Sequence, residues 1–278
     1  MLAVSRAVDA VGGVRRRARG GAVDRALRVT LNFHPERELG GSSVLARLAR
    51  DGEYRSQFVT GTSNGGLTAY VGGDRWRWEH RMFDGVYDDA HAVDRPTYGA
   101  LNHRRRGIGG APRFGSAHLR LAARVLDRTT FCFPDSALEP TDVATADRFD
   151  LIGPADAFDG DVLDDYVEAQ VHGGVVVGRD VEAVVLDPCF RGSSVEVEAH
   201  TLGVPVEWHE GRVLGVDVLA EHADYRGPAI VDVGRRVAVD GQLDAAVIGA
   251  AVAQGLEEPQ DLKKVWHLVA RFGRHREG

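Results

Sequence analysis

The stretch from Tyr166 to Gly174 carries the residues best suited to chemistry. Read as a strand, it sends Val167, Ala169 and Val171 to one face and Tyr166, Glu168, Gln170 and His172 to the other. A phenol, a carboxylate, an amide and an imidazole in a row, if they face a cleft, outline an active site capable of proton transfer or of stabilising a cation. Two other segments repeat the pattern. In 28–34, Val29, Leu31 and Phe33 oppose Thr30, Asn32 and His34; in 114–121, Ala117, Leu119 and Leu121 oppose Ser116, His118 and Arg120. If these strands share a sheet, their polar faces line one cleft containing Asn32, His34, Ser116, His118, Glu168, Gln170 and His172. Such a cluster is expected to be solvated or ligand-filled, because a buried polar group is costly without a partner. An antiparallel sheet with one wet face gives the same alternation without any site.

Three loops add candidates. Thr60-Gly61-Thr62-Ser63-Asn64-Gly65-Gly66 joins hydroxyls and an amide to glycines, and successive backbone N–H groups in such a turn can hold a phosphate or carboxylate. An ordinary turn has the same composition. Arg75, Trp76, Arg77, Trp78 and Glu79 offer stacking and guanidinium contacts, or mark a half-buried element. Tyr98 to His103 runs into Arg104, Arg105 and Arg106, a phosphate contact or a solvated basic loop.

The elements that must position these residues follow from periodicity and punctuation. Residues 1–26 read as an Arg-rich helical lead interrupted by Gly12-Gly13 and Gly20-Gly21, and 42–51 as a helix capped by Ser42 or Ser43. Strands are expected over 28–34, 98–102, 114–121, 128–133, 166–172, 179–187 and 204–208, with a helix over 193–201. Residues 74–87 start a helix or a rim, and 137–159 are irregular with one short helix. From Val216 the pattern is helical, ending in a helix from Pro259 to about Phe272 with Leu262, Val265, Trp266 and Val269 on one face. The order predicts an α+β fold with mainly antiparallel pairing, divided as a lead (1–26), a catalytic-type domain (27–212) and a helical region packed on it (213–278). No GxGxxG follows a strand and no GxxxxGK[ST] is present, so neither phosphate-cradling fingerprint applies.

Bulk properties bound the class. The 278 residues are 44% hydrophobic and 27% charged, a globular composition. The net charge of -7 gives no global attraction for nucleic acid or an anionic membrane. Cys132 and Cys189 lack CxxC spacing, which argues against a structural zinc site and leaves their pairing open. There is no signal-like run at the N-terminus and no apolar window long enough to span a bilayer, so a cytoplasmic protein is expected, with export lacking a cleaved signal as the alternative.

The motifs Phe58 to Leu67, Tyr98 to Arg106, Phe114 to Leu119, Arg128 to Ser136 and Tyr166 to Gly173 resemble a bacterial family catalogued as domain of unknown function 3626, over about residues 28 to 272. A remoter likeness is to mono-ADP-ribosyltransferases, in which two small sheets grip NAD in a cleft. A strand carrying a Glu, an early strand with a His or Arg, and a hydroxyl-bearing middle segment are similar to that layout. The resemblance implies NAD as substrate and ADP-ribosyl transfer or NAD glycohydrolysis, in a toxin-like effector, to a protein, nucleic acid or water acceptor. It implies Glu168 as the catalytic carboxylate, with His34, Gln170 and Tyr166 beside it and His34 on the ribose or nicotinamide end. Asn32, Thr60, Thr62, Ser63, Asn64, Tyr98, Ser116, His118 and His172 would bind the dinucleotide. The chain departs from the pattern in three places: Tyr166 stands where many arginine-directed members have Gln or Glu, Thr60-Gly61-Thr62-Ser63 replaces a Ser-Thr-Ser run, and His34 replaces Arg. Two other readings stand beside this one. His34, His118, His172 and Glu168 could hold a divalent ion for a hydrolase or nuclease, although no HExxH or similar spacing is present. The cleft could also belong to a non-enzymatic nucleotide- or protein-binding module.

Overall fold

Eight strands assemble one sheet in a computed structural model of the protein, which describes residues 2–61 and 67–276. In chain order they are β1 (Val29–Phe33), β2 (Thr97–Leu101), β3 (Ala117–Leu121), β4 (Thr129–Phe133), β5 (Asp142–Thr145), β6 (Val167–Val171), β7 (Val181–Leu186) and β8 (Val206–Trp208). Their order across the sheet is β8-β7-β3-β1-β2-β6-β4-β5. Every pair is antiparallel except β7–β8. The antiparallel pairing agrees with the sequence pattern; the expectation of small sheets around a cleft does not. The three chemically marked strands are built into one continuous surface, and the remaining ribbons are two-stranded.

The reason lies in the apolar face. Val29, Leu31 and Phe33 join Leu101, Leu119, Leu121, Phe131, Phe133, Val167, Ala169 and Val171 in a single buried cluster. Strand alternation leaves one way to bury these side chains together, and the register follows: Leu31 lies opposite Leu119, Leu101 opposite Val167, and Phe131 opposite Ala169. The cluster continues without a break into the C-terminal helices through Leu214, Leu219, Ile230, Val265, Trp266 and Val269.

The helices follow local rules. In α2 (Val44–Asp51), the Ser43 hydroxyl accepts from the Ala46 N–H at 2.9 Å, and Gly52 ends the helix in the left-handed region at φ 64°. α1 (Leu2–Arg17) runs straight through Gly12-Gly13, contrary to the expected interruption. Ala10 and Val14 are fully buried there beside Trp78, Phe83 and Tyr87, and this packing outweighs the low helix propensity of glycine. α3 (Asp74–Met82) buries Arg75, Trp78, Glu79 and Met82, one stripe at helical spacing. The remaining long helices are α4 (Ser194–His200), α5 (Pro228–Val237), α6 (Ala245–Ala253) and α7 (Pro259–Phe272). Strand β5 arises inside the stretch that reads as irregular; it is a short edge strand held by pairing of Phe131 with Ala144 and Cys132 with Val143.

Among the described residues no helix is long and apolar enough to cross a membrane. Cys132 and Cys189 are both free thiols.

Candidate active site

The polar residues of β1, β2, β3, β4 and β6 do share one face. Asn32 lies opposite His118, Tyr98 and Thr130 opposite Gln170, and Ala100 and Cys132 opposite Glu168. The face is not an open trough. Residues 107–116 form a strap across it, tied down by the residues that looked like ligand contacts. The Asn32 amide donates to the Ile108 carbonyl at 2.8 Å and to the Gly115 carbonyl at 3.2 Å, while Thr30 Oγ1 accepts from the Gly110 N–H at 2.8 Å. Gly109, at φ 96°, allows the close approach: a Cβ there would stand 2.7 Å from Asn32 Oδ1 and 3.0 Å from His118 Nδ1.

The strap divides the face into two hollows. The larger, about 430 Å³, is lined by Asn32, His34, Thr60, Tyr98, Tyr166 and Glu168 among the sequence candidates. The smaller, about 270 Å³, takes His118 together with Arg28, Arg106, Arg120, Glu207 and His209. Ser116, fully buried, uses its carbonyl to accept from His209 Nε2 at 2.7 Å. Gln170 and His172 are also fully buried and line neither hollow. Thr62, Ser63 and Asn64 lie outside the described residues. The expected single, wetted cluster is therefore divided: six candidates meet in one cleft, and Ser116, His118, Gln170 and His172 do other work.

That other work is visible for β6. Thr130 Oγ1 donates to Gln170 Oε1 at 2.9 Å, so it accepts from His172 Nε2 at 3.0 Å. His172 Nδ1 then accepts from the Tyr87 hydroxyl at 2.7 Å. Gln170 Nε2 donates onward to Glu168 Oε1 at 3.0 Å. Tyr87, His172, Thr130, Gln170 and Glu168 form one buried directional chain ending at the carboxylate. Burial pushes His172 down to about 3, with the Arg128 charge adding to the effect, so its imidazole is neutral, as this chain requires.

Glu168 is held from its other side by residues that the sequence did not mark as a unit. Ser136 donates to Oε2 through its hydroxyl at 2.8 Å and its N–H at 3.3 Å. Arg75, from α3, lies 3.8 Å from Oε1 and 2.5 Å from the Ser136 hydroxyl. Its guanidinium sits 4.0 Å above the Tyr98 ring. The Tyr98 hydroxyl donates to Glu79 at 2.8 Å, and Arg95 closes the network on Glu79 at 2.5 Å. Burial raises Glu168 above the usual carboxylate range, against the pull of Arg75. Burial likewise raises Glu79, to about 7, against Arg95 and Tyr98. Tyr166 donates to Asp135 and meets the Phe114 ring edge-on at 5.5 Å.

Across the cleft, His34 continues β1. Its Nδ1 lies 3.1 Å from Glu36, and its ring packs against Trp266 of α7 at 5.4 Å. Arg37, Arg47 and Arg55 supply guanidinium groups to the same wall, and Tyr54 and Phe114 add rings. The strap and the 36–55 segment were the missing contributors; Arg75 and Glu79 of α3 were named as contacts but not as partners of Glu168 and Tyr98. A helical spacing of Arg75, Trp78 and Glu79 was the available signal for α3; arginines at 37 and 47, flanking the Ser43 cap, were the signal for the wall.

Residues 28–158 and 151–272 match the family described as "Protein of unknown function (DUF3626)". The chain belongs to this family. The matched regions take in both walls of the cleft, from His34 to Trp266, so the DUF3626 match encompasses the whole site. No curated protein matches the chain.

The three histidines proposed as metal ligands are not gathered. His34 lies in the cleft, His118 in the second hollow and His172 beneath Tyr87. Among the described residues no group of three or more His, Cys, Asp or Glu is placed to hold a metal ion.

Proposed function

We propose that the cleft binds NAD and that the protein transfers its ADP-ribosyl group to an acceptor or to water. One observation carries the reading: His34 and Glu168, far apart in the chain, line one cavity with the guanidinium groups of Arg37, Arg47 and Arg55 and the rings of Tyr54, Tyr98 and Phe114. Guanidinium groups suit a diphosphate, and the rings suit flat bases.

The chemistry asks for a fixed negative charge. The bond from ribose C1 to nicotinamide breaks with its electron pair going to the nicotinamide nitrogen, and an oxocarbenium-like centre forms. An acceptor oxygen or nitrogen then adds and loses a proton. A carboxylate held in place before the reaction stabilises that centre without reorganisation. The donors around Glu168 supply the holding: Ser136 and Gln170 fix its orientation, and Arg75 favours its ionised form. The Thr130–His172–Tyr87 chain behind Gln170 keeps the amide from turning over.

Nicotinamide release from NAD tests the reading, comparing wild type with Glu168→Gln. The expected result is release by the wild type and a fall of about a hundredfold or more in the variant, the scale for losing one preorganised electrostatic group. Equal release by both proteins removes Glu168 from the chemistry. No release with saturable NAD binding leaves a binding module.

A further inference from the structure

Positive charge is concentrated around α7 and reaches the cleft wall at Arg37. Lys263, His267 and Arg271 stand four residues apart on α7 and form one stripe. Arg113 is brought beside them by the turn Pro112–Phe114, whose Pro112 carbonyl accepts from Trp266 Nε1 at 2.9 Å. Arg226 is tied to the stripe through Asp161, which lies 3.5 Å from Arg226 and 2.5 Å from Arg271. Arg37, in the cleft wall, completes the group, since Lys263 lies in the field of Arg113, Arg37 and Arg226. Acids stand within the group too: Asp164 pairs with Arg113, Asp161 with Arg226 and Arg271, Asp135 lies in the field of Arg113, and Glu36 in that of Arg37.

Like charges repel, and Lys263 is pushed down by burial and by its three cationic neighbours. Within the same group His267 is 4% exposed, and neither of its ring nitrogens has a hydrogen-bond partner among the described residues. A buried imidazole without partners carries a desolvation cost that a ligand's oxygen would relieve.

We propose that Lys263, His267, Arg113 and Arg226 form a phosphate-binding subsite opening onto the cleft at Arg37. A phosphate monoester brings close to two negative charges and three acceptor oxygens, which fits several converging donors. The phosphate has two possible sources, a 2′-phosphate on the dinucleotide or a phosphate on the second substrate. Assigning the source rests on the NAD reading; the subsite itself does not.

Calorimetric titration of the full chain with inorganic phosphate, against chloride at matched ionic strength, is the first arm. Wild type is expected to bind phosphate selectively, and Lys263→Met to bind it about tenfold more weakly, the loss of one charge-assisted contact. Lys264→Met, whose amine pairs with Asp261 at 2.8 Å instead, is expected to match wild type. The His267 imidazole resonances of the wild type should shift as phosphate is added, a readout that needs no variant. Absence of selective binding, a Lys263→Met affinity equal to wild type, or unmoved His267 resonances would each overturn the subsite. In the second arm, nicotinamide release is compared between NAD and its 2′-phosphorylated form. A kcat/KM preference for the latter that falls in Lys263→Met assigns the phosphate to the donor. Equal use of both, with phosphate binding retained, assigns it to the second substrate. Phosphate binding with no nicotinamide released from either dinucleotide removes the NAD reading and leaves the subsite standing.

Discussion

Lowering the pH from 7 to 5 should unfold much of this protein's stability margin, and the cause is three histidines rather than its many carboxylates. His118, His172 and His267 are 3%, 0% and 4% exposed, and burial pushes each from 6.5 down to about 3. An unfolded chain takes up a proton at each as the pH falls below 6.5, while the folded chain does not. The stability they contribute is therefore whole above pH 6.5 and is lost progressively toward pH 3. Each group is worth about 1.4 kcal/mol per pH unit, so by pH 5 the three together remove about 6 kcal/mol. Glu79 has the opposite sign. Its folded value, raised from 4.5 to about 7, makes the folded state bind a proton first, and this returns about 2 kcal/mol over the same range. Glu168, also raised, acts in the same direction as Glu79. His103, lowered by burial and by Arg104, acts with the three histidines, so the net loss is about 4 kcal/mol, set against the roughly 5–15 kcal/mol typical of a folded domain. Urea unfolding followed by tryptophan fluorescence at a series of pH values measures it. The slope against pH, not the absolute stability, is the readout, so destabilised variants remain informative: His172→Gln should flatten it by one group and Glu79→Gln should steepen it by one. A stability independent of pH between 7 and 5, or slopes unchanged in both variants, would refute the reasoning.

Three further outcomes are expected. Arg75→Met removes the only guanidinium paired with the buried Glu168 among the described residues and should cost about 3–5 kcal/mol by urea unfolding, with part recovered when Glu168→Gln is added. Tyr87→Phe leaves His172 Nδ1 without its donor and should cost about 1–3 kcal/mol; an unchanged midpoint would show that the chain behind Glu168 is not coupled. On the acidic side, nicotinamide release should rise with pH as Glu168 ionises, with a midpoint above the ordinary carboxylate range, since burial raises that group; a profile flat down to pH 5 would count against the assignment.

Much of the framework was legible because it depends on local periodicity. The alternation of Val29, Leu31 and Phe33, repeated at 117–121 and 167–171, follows from the two-residue repeat of a strand, and the Ser43 cap and the 259–272 helix follow from equally local rules. What alternation does not reveal is what covers a face. Glu168, Gln170 and His172 read as a row presented to a cleft, yet Gln170 and His172 both bond to Thr130, and Gln170 to Glu168, because β4 supplies a partner at the matching register. The strap was hidden for a related reason: Gly109, Gly110 and Gly115 look like a flexible loop until the backbone is seen pressed onto Thr30 and Asn32. Arg75 was hard to place since an arginine on an amphipathic helix is ordinarily solvated, and here Glu168 from a distant strand, with Glu79 one turn on in the same helix, makes its burial tolerable.

His34 leans on Trp266, and Trp266 belongs to the last helix of the chain. A fragment stopping at 212 would retain all of β1 to β8 and every residue first suspected of catalysis, but would lack the indole that backs the histidine and the hydrogen bond that anchors Pro112. The C-terminal segment is thus a structural prerequisite for the pocket's shape, and shortened versions of the chain are the wrong material in which to look for its ligand.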